Sequence, residues 1–144
     1  MKDEDCIFCK IISGQIPADK VYEDSKVIAF LDIHPVNPGH TLVVPKNHSR
    51  NILEDNIDDL TSSMSAIRRI AGAVIKAVKA DGFNLGVNTN AAAGQAVFHT
   101  HFHVIPRFIN DGLRHWPQKD SIGVNETKAV KMKIIENLAM HPKE

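Results

Sequence analysis

Three histidines at every second position, His99, His101 and His103, separated by Thr100 and Phe102, constrain this chain more than any other feature. Alternate residues of a β-strand share a face, so the imidazoles should line up at intervals of about 6.6 Å while Phe98, Phe102 and Val104 face the other way. One face is then imidazole and the other is core. Three aligned histidines fill a core poorly, because each neutral ring brings a donor and an acceptor that must be satisfied when buried. A solvated face is the bland alternative, and the small-residue loop Thr89 to Gly94 just upstream favours a functional one. With an ordinary pKa near 6.5, imidazole is largely neutral at pH 7 and can either attack phosphorus or bind a metal. Two of these histidines could share a catalytic zinc whose third ligand comes from elsewhere. Asn88, Gln95 and the stretch Ala91 to Gly94 instead offer amide donors and approachable backbone N–H groups suited to phosphate oxygens, which makes nucleophilic attack the better fit.

The rest of the chain reads as an α+β domain with a mainly antiparallel five-stranded sheet and one long helix. Val21-Tyr22 and Val27 to Leu31 flank the polar turn Glu23-Asp24-Ser25-Lys26 and predict a hairpin. Thr41 to Val44, closed by Pro45, predicts a central strand. Apolar residues at 57, 60, 64, 67, 71, 74, 75 and 78 follow helical periodicity over Ile57 to Ala80, with Asn56 placed to cap the start and Gly82 to end it. Phe83 to Asn88 and Val97 to Phe108 predict two further strands. Val130, Ile134 and Leu138 predict a short amphipathic helix ending before Pro142, in a C-terminal extension over 118–144 of a single domain spanning 1–144.

Seventeen basic residues balance seventeen acidic ones over the 144 residues, so no overall field draws the chain to nucleic acid or to an anionic membrane, and a small-molecule ligand is expected instead. No apolar run approaches the roughly 18 residues of a membrane span, and the charged start, Met1 to Asp5, has no signal-peptide character. A cytoplasmic protein is expected. Cys6 and Cys9 lie too close for a scaffold disulfide; their spacing fits a metal knuckle, a redox pair or two small buried thiols.

His99-Thr100-His101-Phe102-His103-Val104-Ile105 resembles the signature of the histidine triad (HIT) family, in which histidines alternate with apolar residues. Phe8 to Pro17, Tyr22-Glu23-Asp24, Phe30 to Ile33, His40 to Lys46, Asn88 and Gly94-Gln95 resemble the family's other blocks in order, so the resemblance covers residues 6 to 108. It is nearest to the purine nucleoside phosphoramidase branch. The resemblance implies that His101 is a nucleophile forming a nucleotidyl-histidine intermediate, that His103 holds the α-phosphate, and that His40 supports the triad. It implies further that Asn88 and Gln95 contact phosphate and that Asp32 binds the ribose hydroxyls, although Asp32 also reads as a turn residue before Pro35. The implied substrate is a purine nucleoside 5′-phosphoramidate or a related AMP derivative, with dinucleoside polyphosphate hydrolysis and low-turnover nucleotide sensing as alternatives. A homodimer is implied too, with the helix at 57–80 as contributor. Thr100 stands where the signature expects an apolar residue, and Ala96 where that branch commonly carries a hydroxyl, which leaves the leaving group open.

By the same resemblance, Cys6, Cys9, His48 and His99 form a structural zinc site of the kind found in bacterial members. A closed four-ligand site is expected to matter to stability more than to the chemical step.

Overall fold

The computed structural model describes residues 5–114, 116 and 123–140. The chain divides into two compact units, 1–111 and 112–144. In the first, β1 (Lys20–Glu23), β2 (Val27–Leu31), β3 (Thr41–Pro45), β4 (Gly82–Val87) and β5 (Phe102–Arg107) form an antiparallel sheet in the order β1-β2-β3-β5-β4. Helix α1 spans Ile7–Ile12 and α2 spans Ile57–Val78. The second unit holds α3, Val124–Met140, which is longer than the short helix expected from Val130, Ile134 and Leu138. Residues 118–122 and 141–144 of the expected extension lie outside the described residues.

Cross-strand partners share a face, so the ladder sorts the sheet into two sides. Val27, Ala29, Val43, Phe102 and Val104 pack beneath Ala66, Ile67, Ile70 and Ala71 of α2. Burying each of those isoleucines contributes about 1.5–3 kcal/mol. On the other side Ile28, Phe30, Leu42 and Val44 pack under α1, which supplies Phe8, Cys9 and Ile11. Register carries this second face on to His103, opposite Leu42 and Gly86, and to Ile105, opposite Asn84. Helix α1 packs on the β2–β3 half, and His103, Gly86 and Asn84 on the other half are only partly buried.

The Asn56 side chain caps α2 by accepting from the Asp59 N–H, as its position suggested. The other end differs from expectation. Lys79 takes the left-handed conformation (φ 55°) and returns its N–H to the Ile75 carbonyl, so α2 stops at Val78. Gly82 opens β4 instead, opposite Arg107.

The expected strand Val97–Phe108 begins only at Phe102. Thr100 N–H is drawn away to the Ser49 carbonyl at 2.8 Å, so the chain before Phe102 follows the segment after β3 rather than the sheet ladder. Phe98 is accordingly not a core residue. It is 40% exposed, with the Arg50 guanidinium 4.7 Å above its ring.

Candidate active site and metal centre

His101 and His103 keep neighbouring positions, with ring centroids 5.0 Å apart, whereas His99 turns its fully buried ring towards α1. The row of three imidazoles is therefore split: two form one site and the third joins another.

In the first site, hydrogen-bond partners fix where each proton sits. His101 Nδ1 lies 2.7 Å from the His99 carbonyl, which can only accept, so Nδ1 carries the hydrogen and Nε2 keeps its lone pair. His40 Nδ1 accepts the Val36 N–H at 3.1 Å, so the hydrogen of its neutral ring sits on Nε2. That Nε2 lies 2.9 Å from His103 Nδ1 and 3.6 Å from Asp32 Oδ2. Donation to His103 leaves His103 with its own hydrogen on Nε2. Adjacent rings thus present opposite faces: a lone pair from His101 and an N–H from His103.

Burial keeps these rings neutral. Desolvation pushes the His101 pKa below its ordinary value, partly opposed by the bond to the His99 carbonyl and by Asp32. His103 is pushed down to about 4 by desolvation, and next by the charges that His101 and His40 would carry. His40 is lowered by desolvation and partly restored by Asp32. Asp32, His40 and His103 lie close enough for a shared cation, their ligand atoms all within 4.8 Å. The hydrogen on His40 Nε2 argues against one, since the nitrogen facing the cluster has no lone pair to give.

Asp32 is the turn former its sequence position allowed, and it also borders the paired histidines. Oδ1 accepts the His34 N–H at 2.8 Å, and Oδ2 faces His40. The loop from Asp32 to His40 is braced from β5: Asn37 Nδ2 donates to the Pro106 carbonyl and to Asp111, and Asp111 is held by Arg107.

Asn88 directly follows Val87, whose partner Phe102 directly follows His101, so both residues flank the end of the β4–β5 ladder. Its Nδ2 donates to the Gly94 carbonyl at 3.3 Å and the residue is partly buried. Gln95 departs from its expected role. Its side chain is buried, with Nε2 donating to the carbonyls of Arg50 (2.7 Å) and Val97 (3.1 Å) and Oε1 accepting the Asn90 N–H (2.8 Å). Both donor hydrogens and one acceptor position are in use, so the amide holds its own loop and does not reach out to phosphate. Asn90 has φ 68° and ψ 162°, a region that side-chain-bearing residues enter at a cost of about 1–3 kcal/mol.

The second site gathers Cys6, Cys9, His48 and His99, their ligand atoms all within 4.8 Å of one another. Tetrahedral zinc with ordinary bond lengths sets N–N edges of about 3.3 Å and S–N edges of about 3.5 Å. His48 Nδ1 lies 3.2 Å from His99 Nδ1; the Cys6 and Cys9 sulfurs lie 3.4 and 3.7 Å from His99 Nδ1, and Cys9 Sγ lies 3.4 Å from His48 Nδ1. The donor set and its edges fit that ion. His99 Nε2 lies 2.9 Å from the Pro45 carbonyl, to which it must donate, leaving the Nδ1 lone pair for a metal. Cys6 caps α1, its sulfur accepting the Cys9 N–H, while burial pushes its thiol pKa up, a penalty that a bound cation reverses.

Sequence reasoning missed α1, whose six residues are too few for periodicity to declare a helix. With it was missed Phe8, which sets its ring edge-on to His101 at 5.1 Å and to Phe30 at 5.6 Å. The apolar residues at 8 and 11 were the available signal.

A sheet carrying paired histidines of opposite tautomer beside a Cys2His2 cluster defines a class, and comparison with known proteins assigns it. The HIT domain matches residues 13–110, and the chain belongs to the histidine triad family. A Streptococcus mutans protein of known crystal structure, SMU.412c, is 42% identical with a TM-score of 0.89, covering 94% of this chain and 87% of its own. A zinc-bound histidine triad family protein from Mycobacterium smegmatis is 34% identical with a TM-score of 0.74, covering 94% and 97%. "Adenylylsulfatase HINT3" of Arabidopsis thaliana is 45% identical over 109 residues, 76% of this chain and 55% of the plant protein. Among the described residues no helix is long and apolar enough to cross a membrane.

Proposed function

We propose that this protein is a nucleotide hydrolase or transferase that cleaves the bond between the α-phosphorus and the leaving group of a purine nucleoside 5′-phosphoramidate or related AMP derivative. The observation that carries the reading is the pair of opposite tautomers: His101 offers the Nε2 lone pair, and His103 offers an N–H where charge develops on the phosphoryl oxygens. His101 Nε2 bonds to phosphorus, the leaving group departs with the electrons of its bond, an amine taking up a proton from solvent water as it leaves, and the imidazole becomes cationic. Water or another acceptor then attacks the adduct, loses its proton, and returns His101 with its lone pair. Asn88 serves the phosphate from the opposite strand, and Asp32 the ribose hydroxyls. The activity in the plant relative's name supports an adenylyl group as the transferred part. Ala96 offers the phosphate no hydroxyl, so the site is not restricted to an amine leaving group.

Zinc held by Cys6, Cys9, His48 and His99 pins α1 to the sheet and takes no part in bond making. The zinc-bound mycobacterial relative supports this assignment.

Release of AMP from adenosine phosphoramidate, adenylyl sulfate and a diadenosine polyphosphate, measured side by side, tests the reading. Turnover of either of the first two is expected to exceed that of the third. AMP binding with no release from any of them would replace the enzyme by a nucleotide sensor.

The pH profile follows from the lowered histidine pKa values. Attack needs neutral His101, so the acid limb of kcat/KM is expected at a midpoint below 6.5. The same histidines bind protons more readily in the unfolded chain, so stability rises with pH between the folded value, about 4 for His103, and 6.5. Melting temperature should therefore fall as pH is lowered through that window. An acid limb centred above 7 would contradict the assignment.

A further inference from the structure

Gln95 and Thr100 hang from consecutive carbonyls. Thr100 N–H bonds to Ser49 O at 2.8 Å, and Gln95 Nε2 to Arg50 O at 2.7 Å. The segment 48–50 therefore acts as a common edge against which the start of the triad and the loop 88–97 are aligned. At its other end the Gln95 amide accepts the N–H of Asn90, the residue held at positive φ. Such a conformation persists only where its surroundings over-determine it, and here the partner is buried and commits both donor hydrogens and one acceptor position. The loop starts at Asn88, at the end of the ladder that His101 precedes, and returns to the triad through Val97, whose carbonyl takes the second Gln95 hydrogen.

We infer that Gln95 is a positioning residue. It fixes the loop that carries Asn88 and Gly94 relative to His101, and thereby sets the orientation of the α-phosphate rather than its affinity. This rests on the proposed reaction at His101. In-line attack tolerates little displacement, so loss of the clamp should be felt in the chemical step. A direct phosphate ligand would be felt in binding, and a purely structural residue in the fraction of folded protein.

Gln95→Met keeps the length and removes all three hydrogen bonds. It is expected to lower kcat about 10- to 100-fold per active site, counted by trapped nucleotidyl adduct, while the AMP Kd stays within about threefold. Adding Asn90→Gly, which removes the cost of positive φ, should restore part of kcat in the Gln95→Met protein. Gln95→Asn, which keeps the amide but shortens its reach, carries the same expectation as Gln95→Met should the latter not fold. An AMP Kd weakened about tenfold or more with kcat kept would make Gln95 a ligand. An unchanged kcat per active site would leave it structural, and either result overturns the inference. The 31P shift of bound AMP gives a reading independent of turnover. If wild-type protein releases no AMP from any substrate, the proposed reaction fails, and the clamp is then judged by this shift: moved in Gln95→Met it stands, unmoved it falls.

Discussion

His101→Ala is expected to abolish turnover while leaving AMP binding within a few-fold of the wild-type value. The side chain supplies the only lone pair that the two neighbouring rings direct outwards, because His103 Nδ1 is occupied by His40 and its Nε2 carries hydrogen. No neighbour can replace it: His99 turns its ring into the Cys2His2 cluster, with Nε2 committed to the Pro45 carbonyl. The contacts proposed for phosphate and ribose are untouched by the substitution, so the defect should appear in kcat, by about 10⁴-fold or more when a covalent nucleophile is lost. Rapid quenching with labelled substrate should trap an adduct on His101 in the wild-type protein and none in the variant. His103→Ala should show a smaller loss, about 10²- to 10³-fold, since it removes a donor to the developing charge and not the bond-forming atom. Near-normal turnover by His101→Ala, or an adduct found only on another residue, would end this mechanism.

Cys9→Ser is expected to lower zinc from about one per chain to none and to reduce the melting temperature by about 10 °C or more. The size follows from what the cluster joins. Cys6 and Cys9 sit at the start of α1, His48 follows β3 and His99 precedes β5, so an ion held there would tie the amino-terminal helix to two strands. Without it, buried thiols and imidazoles face one another with no charge to organise them. Zinc competes with protons for the thiolates, so chelation should be easier as pH falls. His99 retains its bond to Pro45 without metal, so the carbonyl that orients His101 keeps an anchor. The kcat of protein still folded should consequently change less than its stability. Wild-type protein that is well folded without metal, and whose melting temperature ignores added zinc, would overturn the assignment.

Sequence legibility followed the length scale of each feature. The hairpin, β3, β4 and α2 were readable because their periodicity persists over several residues, and Asn56 announced its cap. Period two also placed His101 and His103 side by side, but it could not show that Thr100 would leave the ladder for Ser49 and turn His99 aside. That departure depends on a residue fifty positions away. Gln95 was misjudged for a related reason: an amide beside a glycine-containing loop suits phosphate chemically, and only the fold reveals that Arg50 and Val97 claim its hydrogens first. The cysteine pair was visible, whereas the helix it caps was too short to be.

The backbone N–H of Val36 fixes His40, His40 fixes His103, and a second backbone group, the His99 carbonyl, fixes His101. The proton positions are thus assigned by main-chain atoms, which side-chain substitutions retain unless proline replaces Val36. Side chains around the pair can change without disturbing which nitrogen keeps its lone pair. A lineage built this way is free to explore leaving groups, since exchanging one substrate for another never requires the nucleophile to be invented again.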